Sequence, residues 1–122
     1  MFELSVKKSF SAAHRLAGYK GACANMHGHN YCVEIFVSAK KLNAIGIAID
    51  LKLLKEYLAG VLAPLDHADL NGLPPFKRKN PSSENLAAHI FREMQKCLKG
   101  KPVTLLRVIV RESEDSYVTY IP

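Results

Sequence analysis

DLKLLKEYLAGVLAP (residues 50–64) and NPSSENLAAHIFREMQKCLKGKP (residues 80–102) carry two helical patterns with no strand between them. In the first, Asp50 is placed to cap a helix whose Leu51, Leu54, Leu58, Val61 and Leu62 fall on one face, and Pro64 stops it. Residues 65–80, with Gly72, Pro74 and Pro75, have no such period and read as a loop. Pro81 suits the first turn of the second helix, with Asn80 or Ser82 as its cap and Glu84 favoured by the positive helix end. Leu86, Ile90, Phe91, Met94 and Leu98 make its apolar stripe, and Lys96, Lys99, Gly100 and Pro102 form the stop.

On either side of this pair the hydrophobic period falls to two. Phe2, Leu4, Val6, Phe10, Ala12 and His14 share one parity against Glu3, Ser5, Lys7 and Ser9, which predicts a strand over 2–14 with one buried face. Residues 15–28, with Gly18, Gly21 and Gly28, read as a loop. Tyr31, Val33, Ile35 and Val37 then alternate with Cys32, Glu34 and Ser38, a second strand most economically antiparallel to the first. Beyond the helices, Leu106, Val108 and Val110 alternate with Arg107 and Arg111, and a polar Ser113–Ser116 turn leads to a last strand at 117–121. The order is strand, strand, helix, helix, strand, strand. Helices adjacent in sequence indicate an α+β fold: a four-stranded antiparallel sheet with both helices on one face. The other face needs a cover, and a second subunit is the expected one.

The bulk numbers agree with a single domain over 1–122: 48% hydrophobic residues suffice for a core, and 23% charged residues argue against disorder. The opening MFELSVKKSF alternates rather than forming an apolar run, unlike a signal peptide, and no stretch is long enough to span a membrane. Three cysteines, Cys23, Cys32 and Cys97, are an odd count that fits a reducing compartment, so a cytoplasmic location is expected. Cys32 and Cys97 read as small apolar fillers. The net charge of +6 suits an anionic ligand or plain solubility. No block of five or more like charges and no aromatic–basic motif occurs, so neither nucleic acid nor membrane is the expected partner.

The most informative chemistry lies in Cys23-Ala-Asn-Met-His27-Gly-His29. If this segment runs into the second strand, His27 and His29 point to one side, and pairing of the two strands brings His14 close to both. Three neutral imidazoles with an open fourth position form a catalytic zinc arrangement, whereas structural zinc sites are closed by four protein ligands. Spacing alone is equally compatible with a surface histidine pair and a hydrogen-bonded His14. Gly28 would let the backbone bend around an ion. Cys23 fits three roles at this stage: a fourth ligand, a buried bystander, or a thiol whose pKa is lowered by the dication and which acts as a base.

Five motifs in order resemble the 6-pyruvoyltetrahydropterin synthase / 6-carboxytetrahydropterin synthase family: Phe10–Leu16, His27–Tyr31, Leu65–Asn71, Asn80–Asn85 and Arg111–Ser113. Each is weak alone; together they span essentially the whole chain. Ser83 and Ser113 stand where threonine is common, and both keep a hydroxyl. Three residues separate Cys23 from His27, similar to the carboxytetrahydropterin synthases of queuosine (7-deazaguanine) biosynthesis; the pyruvoyl-forming enzymes typically have more.

The resemblance implies a tunnelling fold whose subunits form trimers, usually paired into homohexamers. It implies conversion of 7,8-dihydroneopterin triphosphate and water to 6-carboxytetrahydropterin, acetaldehyde and triphosphate. His14, His27 and His29 would hold Zn2+, Cys23 would act as thiolate base, and Asp66 with His67 as the opposing acid–base group. Glu112 would anchor the pterin's amino-amide edge, and Ser82 and Ser83 would help seat the ring or only cap a helix. Without the resemblance, Asp66 reads as a loop cap, His67 as solvent-facing and Glu112 as a strand-end charge. Arg15 and Lys20 are candidates for meeting the triphosphate, and His89, inside the second helix, is assigned no chemistry. The rivals are the pyruvoyl-forming synthase, a zinc-stabilised nucleic-acid module with Cys23 bound to the metal, and an idle pterin-binding protein.

Overall fold

A computed structural model describes all residues from Met1 to Pro122. Two long strands, β1 (Phe2–His14) and β2 (His27–Ala39), pair antiparallel along their whole length, from Phe2 opposite Ala39 to His14 opposite His27. Helices α1 (Leu51–Leu62) and α2 (Ser83–Leu98) follow, then β4 (Thr104–Arg111) and β5 (Tyr117–Tyr120), with a two-residue strand β3 (Ala68–Asp69) between the helices. The sheet order is β3-β1-β2-β4-β5.

Alternation does what period two demands. Val6, Phe10, Ala12 and His14 of β1 and Tyr31, Val33, Ile35 and Val37 of β2 are buried on one face, while their neighbours in sequence are at least partly open. Both helices pack on that face, α1 against β1 and α2 against β4 and β5. Asp50 caps α1 by accepting from the Lys52 N–H at 2.8 Å. Leu54, Leu58 and Leu62 are its buried positions; each contributes about 1.5–3 kcal/mol in transfer from water. The opposite face carries half-buried Cys32, Glu34 and Phe36, with the Arg107 guanidinium 3.9 Å above the Phe36 ring.

Six expectations change. The sheet is not four-stranded and purely antiparallel, because β3 adds a parallel fifth strand against Ala12 and Ala13. Outward-facing backbone groups of β1 need partners, and the loop between the helices supplies them. The segment 65–80 is therefore not irregular throughout; it also holds two 3-10 turns, at Leu70–Gly72 and Pro74–Phe76. The second strand starts at His27, so the β1–β2 loop is shorter than 15–28. Leu105, not Leu106, is the buried residue at the start of β4, because the register shifts between Phe36 and Val37. Leu51 is exposed, leaving only the second and later turns of α1 on the core. At α2 the cap is Ser82, which accepts from the Asn85 N–H at 3.2 Å, and Pro81 precedes the helix.

Candidate metal centre

The β1–β2 register sets His14 opposite His27 and Ala12 opposite His29, so all three imidazoles rise from one face at one end of the sheet. Their ring centroids lie 4.6, 5.2 and 4.8 Å apart, and one nitrogen from each falls within 4.8 Å of the others. Imidazole nitrogens about 2.0–2.1 Å from a tetrahedral zinc are about 3.4 Å from one another, so small ring rotations close the remaining gap. His14 is buried and the other two are half-buried, which leaves the cluster open on one side.

Backbone carbonyls choose which nitrogen each ring presents. His14 Nδ1 is 2.7 Å from the Pro81 carbonyl and His27 Nδ1 is 2.8 Å from the Asn25 carbonyl. A carbonyl only accepts, so each Nδ1 carries the proton and each Nε2 keeps a lone pair for a metal. Burial is the main force pushing the His29 pKa down, opposed by the Glu112 charge and assisted by His14 and His27. A neutral ring is the state that binds a metal ion. These donors fit a divalent transition metal held by three neutral nitrogens.

Tyr31 closes the floor. Its ring stacks on Phe10 at 4.9 Å, and its hydroxyl lies 3.3 and 3.2 Å from the two nitrogens of His14. Burial and then the Glu112 charge raise its pKa, so the phenol stays protonated. Glu112, one residue past β4, accepts a hydrogen bond from the Ser83 hydroxyl, which is buried at the first residue of α2. Pro81, Ser82 and Ser83 thus each bond a different part: the first orients a histidine, the second caps the helix, the third holds the carboxylate.

The other expected residues divide. Cys23 sits half-buried in a 3-10 turn, Ala22–Ala24, and is not part of the metal-capable cluster of His14, His27 and His29. Gly28 is not the bend it was expected to be. It lies within β2, and a Cβ there would meet only the Ala12 carbonyl oxygen at 3.7 Å, an ordinary contact. Asp66 and His67 lie on the far side of β1 from β2. The Asp66 carboxylate accepts from the Ser11 N–H at 3.0 Å, and His67 N–H donates to the Ser11 carbonyl at 2.6 Å. The two side chains pair at 3.0 Å, with His67 83% exposed and in the left-handed region at φ 55. The Ser11 N–H, more than the His67 ring, holds the Asp66 carboxyl below the usual carboxylate range. No hydrogen bond or ion pair joins Asp66 or His67 to the three imidazoles of the same chain. Ser82 is committed to capping, and His89 packs on Phe76 with burial pushing its pKa down.

Sequence reasoning missed the Pro81 and Asn25 carbonyls, the Ser83–Glu112 bond, and Tyr31 as the floor. Tyr31 was legible as an inward-facing strand residue and Ser83 as a candidate for seating the ring, but not the contacts they make, and a backbone carbonyl has no residue-type signal at all.

Comparison with known proteins places this geometry. Residues 3–122 match the family model for 6-pyruvoyl tetrahydropterin synthase. A 6-carboxy-5,6,7,8-tetrahydropterin synthase of Bacillus subtilis is 34% identical over 129 residues, covering 99% of this chain and 86% of the relative. The human 6-pyruvoyl tetrahydrobiopterin synthase is 35% identical over 133 residues, covering 97% and 90%. The structure of the Caenorhabditis elegans 6-pyruvoyl tetrahydropterin synthase superposes with a TM-score of 0.88 at 30% identity, covering 99% of this chain and 95% of that one. The fold is accordingly the tunnelling fold. With a family model matching almost end to end and relatives of both activities above 30% identity, the chain belongs to the 6-pyruvoyl tetrahydropterin synthase family.

Proposed function

We propose that the protein is a zinc-dependent 6-carboxytetrahydropterin synthase acting in queuosine biosynthesis in the cytoplasm. It would convert 7,8-dihydroneopterin triphosphate and water to 6-carboxy-5,6,7,8-tetrahydropterin, acetaldehyde and triphosphate. The observation that carries this reading is the open three-imidazole cluster with a positioned carboxylate, Glu112, in its electrostatic reach. A bound zinc ion supplies Lewis acidity to oxygens on the substrate's side chain.

The chain's own residues do the rest. Glu112 accepts two parallel hydrogen bonds from the pterin's amino-amide edge, with the Ser83 hydroxyl fixing one of its oxygens. Tyr31 keeps its proton and packs edge-on against the His14 ring. Cys23, outside the ligand set, is free to take a proton from the side chain as thiolate. Asp66 orients His67 as the opposing acid–base group. The pair makes no hydrogen bond or ion pair to its own chain's imidazoles, so it would serve the centre of an adjoining subunit in a trimer or a dimer of trimers.

The choice between the two family activities rests on the three residues between Cys23 and His27. Identity does not divide them, at 34% to the carboxy-forming and 35% to the pyruvoyl-forming relative, so the pyruvoyl-forming reaction is the second reading. Incubating zinc-loaded protein with dihydroneopterin triphosphate and analysing products separates the two. Acetaldehyde together with a carboxypterin supports the proposal, and a retained three-carbon side chain overturns it.

A further inference from the structure

A basic pocket begins next to His14 along the chain, and of its cations only Arg15 is a candidate from the sequence. Arg15, Lys77, Arg78 and Lys79 line it, with Asn71 and Asn80 between them. All four cations are exposed, and none takes part in any of the three salt bridges of the chain. Cations gathered without a counter-charge repel one another, and an anion among them removes that cost.

The backbone under this cluster is fixed by two matching clamps. Asn71 accepts from the Arg15 N–H at 2.8 Å and donates to the Arg15 carbonyl at 3.1 Å. Asn80 does the same for Ala17, at 3.0 and 2.9 Å. Each asparagine satisfies both main-chain groups of one residue, as a neighbouring strand would. Residues 15–17 are therefore pinned to the segment that carries Lys77–Lys79, and cations from two distant parts of the chain face one space. Arg15 follows His14, and Asn80 precedes Pro81, whose carbonyl holds the His14 ring. The pocket starts one residue from the metal centre along both segments.

We propose that this pocket is a polyphosphate-binding site and, resting on the function proposed above, that it seats the triphosphate of the substrate while the pterin side chain lies at the metal. The two arginines offer planar paired donors and the two lysines offer point charges, a combination suited to successive phosphate groups. Asn71 and Asn80 are positioning residues that keep the two segments in register.

The test is calorimetric titration of zinc-loaded protein with inorganic tripolyphosphate. R78Q/K79Q is expected to weaken binding about tenfold or more, while K40Q/K41Q, just beyond the opposite end of β2, stays within about twofold of wild type. Equal losses in the two double variants, or none in R78Q/K79Q, overturn the site. Tripolyphosphate itself binds zinc, so the titration is repeated on metal-free protein; an R78Q/K79Q effect that vanishes there also overturns it. None of these readouts needs turnover, so they stand whichever product the enzyme forms. A second arm compares a pterin triphosphate with the same pterin lacking phosphates. R78Q/K79Q is expected to weaken only the first, and an equal effect on both overturns the assignment to substrate.

Discussion

Replacing Ser83 by alanine removes a single hydroxyl from a buried position and tests whether Glu112 is held for binding. Ser83 is 5% exposed and its hydroxyl donates to the Glu112 carboxylate. A hydrogen bond to a charged group contributes about 1.5–3 kcal/mol, and half-buried Glu112 recovers part of that from water. A net loss of about 1–2 kcal/mol corresponds to roughly 5–30-fold in affinity. The same loss lowers the melting temperature by about 3–6 °C per kcal/mol in a domain of this size. The assay is titration of zinc-loaded protein with a dephosphorylated pterin, by fluorescence, beside a thermal melt. S83T, which keeps the hydroxyl, is expected to restore binding, and E112Q to weaken it more than S83A. If S83A and E112Q both bind the pterin within twofold of wild type, the carboxylate is not the anchor and the reasoning fails.

Zinc added at about a hundred times its dissociation constant stabilises the fold by about 2.7 kcal/mol, seen as a raised melting temperature; H14A and H27A are expected to lose this rise together with the bound metal measured by atomic absorption. Cys23→Ala is expected to retain one zinc per chain yet lose about 10²–10⁴-fold in turnover, since the thiol stands outside the ligand set; loss of metal in this variant would restore the closed-site alternative. His89 has a folded-state pKa below its ordinary 6.5 because it is buried, so the unfolded chain takes up its proton first. Its contribution to stability is whole above about pH 6.5 and declines as pH falls from there towards the folded pKa. Denaturant melts of metal-free protein between pH 7.5 and 5 are expected to show a shallower acid decline in H89L than in wild type, and parallel curves would refute the assignment.

Most of this architecture was legible because it follows from local period. The parity of Val6, Phe10, Ala12 and His14 marks one face of β1, and the leucines of α1 mark a helix. The missing pieces depend on partners. Ala68 and Asp69 become a strand only because an edge of β1 lies within reach, and nothing in those two residue types announces it. Leu106 yields its inward place to Leu105 because of a register shift set jointly by β2 and β4. At the site, the three histidines could be placed by alternation once the strands were paired. The distance of Asp66 and His67 from them could not, since a loop's landing place is decided by which main-chain groups, here those of Ser11, remain to be satisfied.

Pro81, Ser82 and Ser83 act as a gauge block between two recognition elements. One end sets the tilt of a histidine ring, the other the resting place of a carboxylate, and a capped helix start makes the piece between them stiff. The separation between the His14 ring and Glu112 is thereby set. On the function proposed above, a ligand would have to match it with both ends at once, so a bicyclic head with a short polar arm would fit where a longer or shorter one would not. Lengthening this block by one residue would move the two ends out of step while leaving every residue of both intact.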